Sequence, residues 1–169
     1  VASASYPRVG ASIFPPDPRR ADFWSVSGAW RINRESFMSK ADYISNLRLR
    51  ASYGINGTLP IDNYGWRSLV TYSNRYMGQA GGGISTFADE NLRWETNYVT
   101  NVGLEFGLFA QRLYGTIEYF NRDSKDLLQS VPISRVTGFT STLRNVGEMN
   151  NHGLELSLGG DIVRKSKLR

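Results

Sequence analysis

The run WETNYVTNVGLEFGL, Trp94 to Leu108, followed closely by RLYGTIEYFNR, Arg112 to Arg122, alternates in chemistry residue by residue. In the first run Trp94, Thr96, Tyr98, Thr100, Val102, Leu104, Phe106 and Leu108 share one parity. Glu95, Asn97, Val99, Asn101, Gly103, Glu105 and Gly107 share the other. Side chains on a strand point to opposite faces with period two, so such a segment has one apolar wall and one wet, charged wall. About 9–11 tilted residues span a bilayer, well beyond the ~5–6 of an ordinary soluble strand. Small Gly and Asn with two Glu on one parity suit a water-filled lumen better than a packed core. The pair reads as a transmembrane β-hairpin closed by a tight turn at Ala110-Gln111.

The same partition recurs on either side. Val1 to Tyr6 reads as the end of a strand, and Phe23 to Ile32 as another, with Trp24, Val26, Gly28, Trp30 and Ile32 on one parity. Leu47 to Ile55 sets Leu47, Leu49, Ala51, Tyr53 and Ile55 against Arg48, Arg50, Ser52 and Gly54. A last strand runs through Leu158, with Leu154, Leu156 and Leu158 opposing Gly153, Glu155, Ser157 and Gly159. Between them lie a proline-bearing loop (7–22) and a connection (33–46) with a possible helical turn around 34–40. A long excursion (56–93) and a further loop (123–142) complete the chain. Within the excursion Asn56-Gly57 reads as a turn, Trp66 to Ser73 as a short strand, and Gly81-Gly82-Gly83 as a flexible joint. The long loops then share one end of the sheet. Trp24 and Trp94 near that end, and Phe106 and Phe109 near the other, resemble the two aromatic girdles of a membrane barrel. The expected fold is all-β: an antiparallel transmembrane β-barrel portion of about six long strands, filling residues 1–169. Six strands are too few to close a barrel, so the sheet edges need partners.

Composition narrows the function. The 169 residues carry 17 Gly, no Cys and a formal charge of +5, with a mean hydropathy of −0.37. A soluble-looking mean is what a barrel gives, since alternate residues meet lipid. No run approaches the ~18 apolar residues of a membrane helix. The basic residues are scattered apart from Arg19-Arg20 and a tail of Arg164, Lys165, Lys167 and Arg169, so no nucleic-acid partner is expected. His152 is the only histidine, in a turn-like Asn150-Asn151-His152-Gly153. One His and no Cys give neither a multi-His metal site nor a plausible catalytic triad, so no metal, cofactor or enzyme activity is expected. Glu95 and Glu105 are about 33 Å apart along a strand, too far for paired acid–base work. The chain opens without Met inside an alternating pattern and ends in a basic stretch, which leads us to expect part of a larger polypeptide.

The chain resembles the SusC/RagA-type TonB-dependent outer-membrane transporters of Bacteroidota. The likeness lies in FWSVSGAWRINRESFM (23–38), LRLRASYGINGT (47–58), ENLRWETNYVTNVGLEFGLFAQRLYGTIEYFNRDSKDLL (90–128) and NVGEMNNHGLELSL (145–158). These blocks cover close to half the chain in the family's order. The resemblance implies a late portion of a barrel of about twenty-two strands, a size that is plugged rather than open. It also implies an N-terminal plug, coupling to TonB through that N-terminal part, a SusD-like surface lipoprotein partner, and a cell outer membrane location.

Transport needs a polar wall, and Arg31, Arg48, Arg50, Glu95, Asn97, Asn101, Glu105, Glu118 and Glu155 fall on the inferred lumen-facing parities. Both signs occur, so cross-strand pairing that holds the wall is the plainer role for them. In the long excursion Tyr64, Trp66, Tyr72, Tyr76 and Phe87, with Asn63, Asn74 and Gln79 nearby, offer aromatic faces and amides. These suit a glycan or peptide ligand, a lid-like partner, or packing of the loop on itself. Import of nutrient oligomers is the leading expectation. A passive porin-like channel and a soluble β-sandwich carbohydrate-binding module are the alternatives.

Overall fold

The computed structural model describes residues 1–39, 41–59 and 64–161. Asn63 and the basic tail lie outside them. Among the described residues twelve strands follow in chain order: β1 (Ala2–Ser5), β2 (Arg8–Gly10), β3 (Arg20–Asp22), β4 (Trp24–Arg31), β5 (Ile44–Thr58) and β6 (Val70–Tyr76). Then come β7 (Gln79–Ile84), β8 (Glu95–Leu108), β9 (Leu113–Lys125), β10 (Leu128–Pro132), β11 (Ser141–Asn145) and β12 (Glu148–Gly160). One six-stranded sheet, ordered β1-β4-β5-β8-β9-β12, carries the architecture. Every neighbouring pair in it is antiparallel. The fold is thus a partial barrel wall, and the three small hairpins β2-β3, β6-β7 and β10-β11 ornament one end.

Register keeps the two chemistries apart across the whole sheet. One transverse row reads Gly28, Ala51, Val102, Tyr119, Leu154, and the row two residues further along reads Trp30, Leu49, Leu104, Ile117, Leu156. The intervening row, on the opposite face, reads Ala29, Arg50, Gly103, Glu118, Glu155. A slip of one residue in β4, β5, β8, β9 or β12 would put charge on the apolar face, so the pattern pins the pairing. The apolar face has no partner layer among the described residues: Leu154, Leu156 and Leu158 are 76%, 66% and 62% exposed. A soluble sandwich buries such a face against a second sheet, and the described residues place no second sheet there.

The apolar band also slants. On β4 its upper limit is Trp24, whose row continues through Ile55, Tyr98, Asp123 and Asn150. On β12 the upper limit is Leu154, four residues lower than Asn150. Four residues are about 13 Å of strand and four strand spacings about 19 Å, which gives a slope of roughly 35°. That matches the 35–45° strand tilt of membrane barrels. Above the edge, on the same face, His152 Nδ1 meets Asn150 Oδ1 at 2.6 Å, and Asn150 donates to Asn121 at 2.8 Å and to Asp123.

Several local expectations are corrected. Asn56-Gly57 is no turn: β5 runs straight through it, with Asn56 opposite Asn97 and Gly57 opposite Thr96. Glycine is needed at 57 because a Cβ there would run into the Phe23 ring and lie 3.0 Å from Trp94. Gly81 to Gly83 are not a joint but lie in β7, paired to β6. His152 is not in a turn; it sits in β12 opposite Asn121. Trp94 is not a girdle residue. The strand begins at Glu95, and Trp94 is 7% exposed between Phe14 (4.9 Å) and Phe23 (5.6 Å) in the small core at the loop end. The other end is tight as expected, though Phe109, Ala110 and Gln111 all take positive φ. Bonds from Phe109 N to Tyr43 O (2.8 Å) and from Gln111 N to Ser45 Oγ (3.3 Å) hold that costly conformation.

Candidate functional site

All nine polar-wall candidates share the polar face by register, and the structure joins several of them. Arg50 reaches Glu118 at 2.7 Å and Glu105 at 3.5 Å, and Arg48 reaches Glu105 at 3.7 Å. Arg50 and Glu118 sit on non-adjacent strands with Gly103 between them. A Cβ at Gly103 would lie 2.6 Å from Arg50 Nε, so the missing side chain is what lets the guanidinium cross β8. These side chains are 25–43% exposed, so water screens them and each contact contributes up to ~1 kcal/mol. Arg31 lies opposite Arg48, and Glu155 opposite Glu118, as like-charge neighbours. Asn101 sits between Ser52 and Phe120 in its row. Serine pairs Ser3–Ser27 (2.7 Å) and Ser5–Ser25 (2.8 Å) extend the wet wall to β1.

Two of the nine are loop anchors. Asn97 is 7% exposed, accepts from Ser124 Oγ (2.6 Å) and donates to Thr58 Oγ1 (3.1 Å). Glu95 accepts the backbone N–H of Leu128 at 2.8 Å, fixing the start of β10. Burial of Asn97 costs little because both ends of its amide are bonded.

Above this level two loops are clasped together. Asn145 Oδ1 accepts from Arg93 N, and its Nδ2 donates to Arg93 O and Asp126 O, all at 2.8 Å. Arg93–Asp126 (2.7 Å), Arg144–Asp89 (3.3 Å) and Thr142 Oγ1 to Phe87 O (3.1 Å) reinforce the contact. Phe87 packs edge-on against Phe139 at 5.7 Å, so it serves this interface. The other aromatic candidates are dispersed. Tyr64 is exposed with positive φ, and Tyr72 stands 74% exposed on β6. Trp66 is half-buried under the Arg67 guanidinium (4.4 Å). Tyr76 lies on β6, but its side chain is outside the described part. No ring contact links these candidates among the described residues.

A residue missing from the sequence-based set completes the picture. Arg122 lies on the polar face, opposite Val99 and Asn151, and lines a recess of about 910 Å³ at the loop end. Its parity with Glu118 is readable in the sequence, but the alternating run stops at Arg122, whereas β9 continues to Lys125. Among the described residues no cluster of His, Asp and Glu is suited to holding a metal ion.

Comparison with known proteins agrees with this geometry. Residues 4–168 match the family model described as TonB dependent receptor-like, beta-barrel. The chain is 35% identical over 158 residues to TonB-dependent receptor P26 of Formosa agariphila, covering 92% of this chain and 16% of that protein. It is 34% identical over 157 residues to TonB-dependent receptor SusC of Bacteroides thetaiotaomicron, covering 88% and 16%. Among solved structures it is similar to the RagAB peptide importer in the closed-closed state, with TM-score 0.88, 36% identity, and 98% and 18% of the two chains covered. The chain therefore spans about a sixth of the length of the relatives it matches.

Proposed function

Because the chain belongs to the TonB-dependent receptor β-barrel family, we propose that it forms part of the wall and mouth of an energy-coupled importer of nutrient oligomers in a Gram-negative outer membrane. The observation that carries this reading is the register, which sets an uninterrupted apolar face back to back with an ion-paired polar one. The apolar face suits hydrocarbon, and the polar face, with Arg31, Arg48, Arg50, Asn101, Glu105, Glu118 and Glu155, suits an aqueous lumen.

The cargo on this reading is a peptide or glycan oligomer. A plug domain N-terminal to this segment contacts TonB, and a SusD-like lipoprotein covers the mouth. The β6-β7 hairpin fits such a partner, with Tyr72 and Met77 being 74% and 86% exposed. Tyr64, Trp66 and Tyr76 remain candidates for cargo or partner contact, whereas Phe87 acts through the loop clasp.

The test is uptake by cells expressing the full-length receptor with its partner, with and without TonB. Labelled oligopeptides and oligosaccharides serve as cargo. Import of either class that stops when TonB is removed supports the proposal. Import that continues unchanged makes the barrel a passive channel, and release of the protein from membranes by salt alone removes the transporter reading altogether.

A further inference from the structure

Along β9 the polar face reads Tyr114, Thr116, Glu118, Phe120 and Arg122, so an apolar ring interrupts a run of hydrogen-bonding and charged groups. The transverse row through that ring is Ser27, Ser52, Asn101, Phe120, Gly153. Phe120 leans along the wall across Gly153, where a Cβ would lie 2.9 Å from its Cζ. Covering a glycine is structural work, and Tyr114 does the same over Gly159. That work engages one face of a ring. Lying along the sheet, Phe120 turns its other face toward the lumen, and the residue is half-buried rather than buried.

The surroundings of this ring have a definite chemistry. Phe120 lines a hollow of about 370 Å³ with Asn101, Glu118, Arg122, Asn151 and Glu155. Asn101 faces it across the strand pair, about 5 Å away between Cβ atoms. Glu118 and Arg122 flank it on β9, two residues to either side and about 7 Å off. Asn151 and Glu155 flank Gly153 on β12 and lie on the two diagonals, at about 7–8 Å. The ring is an apolar disc inside a polar rim. The hollow opens at right angles to the sheet, so a further strand beside β12 would widen the wall without covering the disc.

The rim decides what can lie there. An apolar side chain would cover the ring, but it would strip water from the amides and charges and return no hydrogen bonds, which is costly. A pyranose meets both demands. Its C–H face is apolar, and its hydroxyls, each a donor and an acceptor, point outward toward amide, carboxylate and guanidinium. Glu118 and Glu155 beside the ring disfavour an acidic sugar. The hollow is at the small end of the ~300–1,000 Å³ of ligand pockets, a size for one ring rather than a long chain. Resting on the import reading above, we propose that Phe120 is a stacking platform on the lumen wall for one pyranose ring of a neutral oligosaccharide cargo, with Asn101 and Asn151 bonding its hydroxyls. Ser52 and Ser27 continue the row beyond Asn101 and offer hydroxyls to the next units.

The test uses the purified full-length receptor in detergent and titrates neutral gluco-, manno- and galacto-hexaose, a hexauronate and an alanine hexapeptide. At least one neutral hexaose is expected to bind. Phe120→Leu still covers Gly153 but offers no flat face, so it should weaken that hexaose about 10-fold, the scale of one lost aromatic contact. Phe120→Trp should hold or raise the affinity, and Asn101→Ala or Asn151→Ala should lower it several-fold. Failure of every neutral hexaose to bind overturns the platform. An affinity unmoved by Phe120→Leu also overturns it, making the ring a cover for Gly153 or a seat for another part of the receptor. Equal loss for the hexapeptide, or tighter binding of the hexauronate than of any neutral hexaose, overturns the assignment to a neutral sugar. TonB-dependent uptake is scored separately in cells. Uptake of a hexaose whose binding ignores Phe120→Leu removes the platform and leaves import standing. Binding that follows Phe120→Leu, with no TonB-dependent uptake of any cargo, removes import and leaves a sugar site.

Discussion

Replacing Asn145 by alanine removes three hydrogen bonds at once, two to Arg93 and one to Asp126 O, each 2.8 Å long. The partners are 52 and 19 residues away in sequence, so the side chain staples loop 85–94 to loop 126–147. A typical net contribution is ~0.5–1.5 kcal/mol per bond, and partial exposure of the site favours the lower half of that range. The expected loss is about 2 kcal/mol, or roughly a 30-fold rise in the open population of the clasp. Asn145→Asp keeps the acceptor for Arg93 N, loses both donations, and sets a carboxylate against two carbonyl oxygens; it should be at least as damaging. Amide hydrogen exchange on the full-length receptor in detergent reads this directly, since exchange reports local opening. Protection should fall together in both loops while β5 and β8 stay unchanged. If 126–147 loosens and 85–94 does not, the two loops are not one unit, and the clasp as argued is wrong.

The polar wall yields a second expectation. Gly103→Val should displace Arg50 from Glu118 and lower stability by about 1–2 kcal/mol in denaturant unfolding, because the new Cβ would sit 2.6 Å from Arg50 Nε. Adding Arg50→Met should recover part of that loss by freeing the space. The two faces yield a third. Val102→Arg should cost about 2–4 kcal/mol in a bilayer-mimetic unfolding assay, and Asn101→Arg, its chain neighbour on the other face, under about 1 kcal/mol.

Face assignment was legible because period-two alternation over 13 to 15 residues has no other simple reading, and β5, β8 and β9 carry it with few breaks. Dipeptide signals were weaker than pairing. Asn56-Gly57 carries a hairpin signature, yet bonds to β8 outweigh it, and glycine there serves the rings of Phe23 and Trp94. Gly81 to Gly83 likewise form a strand because β6 supplies partners. Trp94 shows where parity stops informing: one residue outside the strand, its ring follows Phe14 and Leu92 into a core rather than the alternation. The Asn145 clasp was invisible in the sequence, since it joins residues 52 apart through an irregular loop. Glu95 and Asn97 had readable parity, but only the folded loops reveal that they hold Leu128, Ser124 and Thr58.

The most direct examination is a nitroxide scan through residues 97 to 106 of the full-length receptor in lipid bilayers. Collision with membrane-soluble oxygen and with a water-soluble nickel chelate is measured at every site. Two-residue periodicity with opposite phase is predicted, oxygen peaking at Tyr98, Thr100, Val102, Leu104 and Phe106, and nickel at Asn97, Val99, Asn101, Gly103 and Glu105. Profiles in phase with each other, or flat along the strand, would mean that neither face of this sheet meets lipid.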